Sequence, residues 1–200
     1  MRSATPFDLI GYCPKCFFRE KWCICEKIPT IHTDISFLIL RHTKEVMKSS
    51  NTGRLAHLAL PNSQLLTYGE RGKPFVPSTV CGEDTWLLFA TNDNEEILPL
   101  PKPPKKVLVL DGTWRQARRM FYRMPEIRNL PRIGLPKITD IPERIRTPHQ
   151  EWMMSTVEAI ARTIELYDSA EKAKQLDELF AYMVQQFRLQ RGWERPQKKK

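Results

Sequence analysis

This sequence predicts an α/β fold, a mostly parallel sheet flanked by helices, and three observations carry the prediction. Short runs of strand length recur at 35–40, 64–68, 86–90 and 106–110. Segments of helical period follow or separate them, at 51–60, 111–124, 155–166 and 170–190. The runs ISFLIL and KVLVL are almost continuously apolar, as strands covered on both faces are. Ligands of such sheets sit outside the carboxyl ends of strands. The stretch LVLDGTWRQA (108–117) puts a carboxylate, Asp111, at such an end.

The chain opens on cysteine. Residues 1–30 hold four of the five cysteines, Cys13, Cys16, Cys23 and Cys25, as C-x2-C-x6-C-x-C. The beginning MRSATPFDLIGY has no apolar leader segment, so no signal peptide and a reducing, cytoplasmic location are expected. Clustered thiols in that setting suit a tetrahedral structural Zn²⁺; an iron–sulfur cluster ranks second and metal-free thiols last. The insert FFREKW either packs around the metal loop or touches RNA, with packing favoured. Cys81 reads as a small buried hydrophobe.

The first helix is NTGRLAHLAL (51–60), with Leu55, Leu58 and Ala59 on one face and Pro61 at its end. Its start, Asn51–Gly53, offers backbone N–H groups to an anion. QLLTY and WLLFA read as strands, and the spacer PLPKPPKK is too rich in proline for either regular element. The helix after Asp111 divides in two: Ala117, Met120, Phe121 and Met124 bury, while Arg115, Arg118, Arg119, Tyr122 and Arg123 form a basic stripe, closed by Pro125. STVEAIARTIEL (155–166) opens with Ser155 and Glu158 at capping-box spacing. A last helix over 170–190 precedes the basic tail RPQKKK. The expected division is a knuckle at 1–30, a catalytic unit at 31–192 and a tail at 193–200.

The formal charge of +9 over 200 residues favours a polyanionic partner, against the plainer reading of solubility alone. No apolar stretch reaches the roughly 18–20 residues of a membrane span. No spare apolar helix face is evident, so a monomer without an obligate protein partner is expected. His32, His57 and His149 have no partner legible in the sequence.

Together these segments resemble the DTW-domain family, the tRNA-uridine aminocarboxypropyltransferases. The resemblance rests on the cysteine knuckle at 13–25, LILRHTKE (38–45), NTGRLAHLAL, WLLFA, DGTWRQARRM (111–120), LPRIGLP (130–136) and STVEAIA (155–161), in the family's order. Asp111, Thr113 and Trp114 supply the letters of the family's name. One departure is His42-Thr43, where the family commonly has His-Pro. The resemblance implies a SPOUT-like sheet, with a trefoil knot near the C-terminal half as a further expectation. It also implies transfer of the 3-amino-3-carboxypropyl group of S-adenosylmethionine to N3 of a tRNA uridine, in the variable loop or the D-loop with the variable loop favoured, releasing methylthioadenosine.

On that reading the catalytic candidates are Asp111, Thr113 and Trp114. Asp111 takes the N3 proton, orients the donor's ammonium, or caps the following helix. Thr113 bonds the donor or starts the helix; Trp114 walls the pocket, stacks on the base or packs in the core. The donor site draws on Arg41, His42, Asn51, Thr52, Leu88, Phe89, Leu110, Gly112, Ser155 and Thr156. Leu88, Phe89 and Leu110 are its apolar walls, and Arg41 either meets the donor carboxylate or makes a surface ion pair. Arg115, Arg118, Arg119 and Arg123, extended by Arg144 and Arg146, are the RNA-binding surface. Two other readings stand beside this one: a SPOUT-type methyltransferase using the same donor, and a zinc-containing RNA-binding protein without activity.

Overall fold

The computed structural model describes residues 10–90, 102–135, 144–145 and 153–193. The described residues form five strands and five α-helices, in the order β1 (Ser36–His42), α1 (Thr52–Ala59), β2 (Gln64–Tyr68), β3 (Thr85–Leu88), β4 (Lys106–Asp111), α2 (Trp114–Arg123), α3 (Pro125–Arg128), β5 (Arg132–Ile133), α4 (Thr156–Tyr167) and α5 (Ala170–Gln190). All pairings are parallel, in the order β2-β1-β4-β3-β5. The expected α/β class and parallel sheet are present.

The period of two along each strand sorts its side chains into two cores. Phe37, Ile39, Val107, Val109 and Leu88 face a layer built by α1, α4 and α5. Leu38, Leu40, Leu87, Leu108, Leu110 and Phe89 face α2 and α3. The strands read as continuous apolar runs because both faces are covered.

Strand order then fixes where a ligand can sit. From β1 the chain crosses through α1 to β2 on one side, and β4 later inserts on the other side of β1. The crevice between the carboxyl ends of β1 and β4 is therefore the topological switch point of the sheet. His42 and Asp111 end those two strands.

Local chemistry explains the helix starts. Thr113 caps α2: its Oγ1 accepts from the Gln116 N–H at 3.3 Å, and the Gln116 Oε1 accepts from the Thr113 N–H at 2.6 Å. That reciprocal cap displaces Asp111 from the capping role considered for it. Pro125 ends α2 as expected but also opens the single turn α3, because proline at the first helical position forfeits an N–H that has no partner there. The two-residue strand β5 was not anticipated.

The knuckle joins the α4/α5 core. Cys16, Phe18 and Ile24 are buried with the residues of α5. Phe18 meets Phe187 edge-on at 6.5 Å, and the Arg19 N–H donates to Gln190 Oε1 at 2.8 Å. Trp22 packs on the same core, so Phe18 and Trp22 of FFREKW serve packing while its charged residues are exposed. Among the described residues no helix is long and apolar enough to cross a membrane.

Candidate active site

Asp111 lies opposite Arg41 in the β1–β4 register, and both positions alternate onto the α1/α4 face. Asp111 is only 2% exposed. Its Oδ2 accepts from Asn51 Nδ2 at 2.5 Å, and its Oδ1 accepts from the Thr156 hydroxyl at 2.7 Å. Asn51 is the N-cap of α1, its Oδ1 accepting from the Arg54 N–H at 2.9 Å. Thr156 is the first residue of α4. The carboxylate thus joins the N-termini of two helices, where their dipoles favour negative charge. Gly53 lets α1 come that close: a Cβ there would stand 2.5 Å from the Asp111 carboxyl carbon.

Burial raises the Asp111 pKa above its ordinary value. The bonds from Asn51 and Thr156 and the charge of Arg41 oppose that, while Glu45 adds to it. Arg41 is held by one contact, Nη2 to Thr67 Oγ1 at 3.4 Å, and its Nε is buried without a partner. Burial lowers its pKa, with Asp111 pulling the other way.

On the α2 side of the rim stands His42. Its Nδ1 accepts from the Lys44 N–H at 3.1 Å, which puts the proton of the neutral ring on Nε2. Burial lowers its pKa, and the charges of Lys44, Arg119 and Lys48 act in the same direction against Glu45. Its ring lies 6.3 Å from that of Tyr68.

Several expected residues take other places. Thr113 is exposed and spends its hydroxyl on the α2 cap. Trp114 is half-buried and packs with Phe89 at 6.1 Å, so the core reading describes it best. Leu88 faces the α4 side, whereas Phe89 and Leu110 face α2, so the three do not wall one pocket. A Cβ on Gly112 would lie 3.0 Å from Gln116 Oε1: that glycine makes room for the helix cap. Thr52, half-buried, is the first residue of α1.

The basic stripe is as expected in one respect. Arg115, Arg118, Arg119, Tyr122 and Arg123 are all exposed, and none of the four arginines makes an ion pair among the described residues. It differs in another, since α2 covers the sheet face opposite to the one Asp111 occupies. Arg144 leaves the RNA surface altogether. Its side chain is 8% exposed and its Nε donates to Glu158 Oε1 at 2.8 Å. Arg146, His149 and residues 194–200 of the tail lie outside the described residues.

Sequence reasoning missed the close approach of Gly53 to Asp111, the burial of Arg54 and the pairing of Glu158 with Arg144. Arg54 is buried, donates to the carbonyls of Val46 and Lys48, and lies over the Phe17 ring at 3.9 Å from its centroid. The signal was faint: a basic residue on the apolar face of a helix. His57 does have a partner, its Nδ1 lying 2.8 Å from Ser63 Oγ.

The four N-terminal thiols could hold a metal ion, since the Sγ atoms of Cys13, Cys16, Cys23 and Cys25 all lie within 4.8 Å of one another. Their acidities agree. Burial acts to raise Cys13, but the N–H groups of Cys16 and Lys15, with the Cys23 and Cys25 thiols, outweigh it and bring its pKa to about 7. Burial and the neighbouring sulfurs push Cys25 up. One thiol of the cluster ionises readily at the expense of its neighbours, and a shared cation would let all four do so.

The family described as the DTW domain matches residues 10–188. The chain is 27% identical over 195 residues to tRNA-uridine aminocarboxypropyltransferase 2 of Macaca fascicularis, covering 90% of this chain and 64% of that protein. It is 25% identical over 185 residues to the Drosophila melanogaster protein of the same name, covering 86% and 73%. A Mus musculus protein, also so named, is 30% identical over 122 residues, covering 56% and 41%. The chain thus spans less than two thirds of the macaque protein's length. No solved structure matches it.

Proposed function

The chain belongs to the DTW-domain family, and from that premise we propose that it is a tRNA-uridine aminocarboxypropyltransferase. The transferred group comes from S-adenosylmethionine, the acceptor is N3 of a uridine in the tRNA variable loop, and methylthioadenosine leaves. In the reaction N3 loses its proton to solvent and its electron pair attacks the γ-carbon of the methionine chain. The carbon–sulfur pair returns to sulfur, which changes from a sulfonium to a neutral thioether.

The observation that carries this reading is the carboxylate at the β1–β4 switch point, gripped by the N-termini of α1 and α4. A methionine moiety carries an ammonium, and a carboxylate has about four acceptor positions. Two of Asp111's are used by Asn51 and Thr156. Asp111 therefore orients the donor's ammonium, the role that its burial favours over proton removal from a macromolecular substrate. His42 presents its Nε2–H at the rim, Asn51 and Thr156 hold the carboxylate, and the exposed stripe of α2 neutralises phosphates. Access to N3 requires the uridine to be turned out of its stack.

The thiol knuckle binds Zn²⁺ through Cys13, Cys16, Cys23 and Cys25, and the ion supplies folding energy. The SPOUT relationship and the knot belong to the same proposal, supported by the parallel sheet and the family. So do a cytoplasmic location and a monomeric state.

Incubation with unmodified tRNA and two labelled donors tests the reading. Label from the donor's carboxylate is expected in RNA, and label from its methyl group is not. Methyl label alone would make the protein a methyltransferase; neither label, with tRNA still bound, would leave a binding protein. The pH profile separates the two roles of Asp111. With no general base the rate climbs with pH until uridine itself ionises, whereas an Asp111 base would level the profile once Asp111 had ionised, at lower pH.

A further inference from the structure

Among the described residues, Arg144 is anchored at one point. Its Nε donates to Glu158 Oε1, and both Nη1 and Nη2 are buried without any acceptor. The other oxygen of that same carboxylate, Oε2, accepts from the Ser155 N–H at 2.8 Å, and Ser155 Oγ, which faces the Glu158 N–H in the capping box, is buried with no acceptor for its own O–H. Two orphaned groups thus flank one glutamate at the N-terminus of α4, the helix whose next residue, Thr156, donates to Asp111. Buried donors left unpaired are costly and uncommon in native proteins. Here the unpaired set is a planar fork of N–H donors, a hydroxyl and a helix N-terminus, which together describe the complement of an anion with two oxygens in one plane.

We infer that Arg144 and Ser155 bind the α-carboxylate of the amino-acid moiety that this protein transfers. This rests on S-adenosylmethionine being the donor. Arg144 takes the two carboxylate oxygens through Nη1 and Nη2, Ser155 Oγ donates a third bond, and Asp111 receives the ammonium beyond Thr156. Glu158 keeps the guanidinium in place without using its two Nη groups. Arg41 is the weaker candidate for this carboxylate, since one of its Nη groups already reaches Thr67 and only its Nε is orphaned. A tRNA phosphate is excluded by burial, because a side chain 8% exposed does not meet the backbone of a folded RNA.

Calorimetry on the full chain tests this with two ligands, S-adenosylmethionine and its decarboxylated form, which keeps the sulfonium and the amine. Wild type is expected to prefer the carboxylated ligand by about tenfold or more, the scale of a bidentate charged contact. In Arg144→Lys, which retains a cation for Glu158, the preference shrinks to within about threefold, while affinity for the decarboxylated ligand and for tRNA stays. Ser155→Ala removes the capping-box hydroxyl of α4, so its melting temperature is measured alongside, and among the ligands it lowers affinity for the carboxylated one alone. The inference is overturned if wild type shows no preference. A preference that survives in Arg144→Lys, or that disappears in Arg41→Lys instead, also overturns it, as does a loss confined to tRNA affinity. Wild-type protein that binds neither ligand, at any concentration reached, refutes the donor assignment itself and this inference with it.

Discussion

At the level of single residues, Asp111 sets stability against purpose. Burial raises its folded pKa above the ordinary 3.8, so the protonated form suits the fold best. Below that ordinary value both folded and unfolded states hold the proton and the full stability is present. As pH rises, the unfolded state ionises first and stability declines until the folded carboxyl has ionised too. Asp111→Asn removes this decline: relative to the variant, wild type should lose melting temperature as pH rises from about 4. At neutral pH the variant is at least as stable, with the Thr156 hydroxyl turned to accept, yet it transfers no label to tRNA. Equal destabilisation of the variant at every pH would contradict this. Gly53→Ala tests the same contact sterically. With the new Cβ 2.5 Å from the Asp111 carboxyl carbon, it should cost about 1–3 kcal/mol. Gly82→Ala, whose Cβ meets Thr85 Oγ1 at 3.7 Å, should change thermal unfolding little.

Among the elements, α2 separates its two duties by face. Thr113→Ala removes the hydroxyl of the reciprocal cap and should cost about 1 kcal/mol in thermal unfolding. Transfer per folded molecule should hold, which a catalytic Thr113 would not allow. Arg118→Ala with Arg119→Ala should weaken tRNA binding and flatten its salt dependence by about two units of log–log slope, since each phosphate contact contributes about one. Donor affinity stays put; a simultaneous fall in it would place the stripe in the pocket. Much of this was legible beforehand. QLLTY is β2 residue for residue, and the periodic helix over 170–190 is α5. The partners of Asp111 were not, because Asn51 and Thr156 stand 60 and 45 positions away and only strand order brings them together. Local pattern reports which face of an element is apolar. It does not report which other element caps it, and Arg144 was placed on the surface for that reason.

For the molecule as a whole, the cysteine knuckle is a support for the site. Phe17, held at φ 60°, lies beneath Arg54 of α1, and Phe18 packs on Phe187 of α5. Removing the metal should therefore lower the melting temperature and weaken donor binding together, although no thiol touches Asp111. Elemental analysis should find a single zinc per chain, and a strong chelator should produce both losses. Chelation that lowers stability while leaving donor affinity intact would separate the knuckle from the site.

The central position of β4 also has a consequence in time. β1, α1 and β2 are neighbours in the chain and can associate without the rest, but β4 enters between β1 and β3 only after more than half the chain exists. The carboxylate arrives on that late strand, and its second clasp waits for α4. Every nascent or half-folded chain therefore lacks the complete clasp around Asp111, and the proposed site appears only when folding finishes.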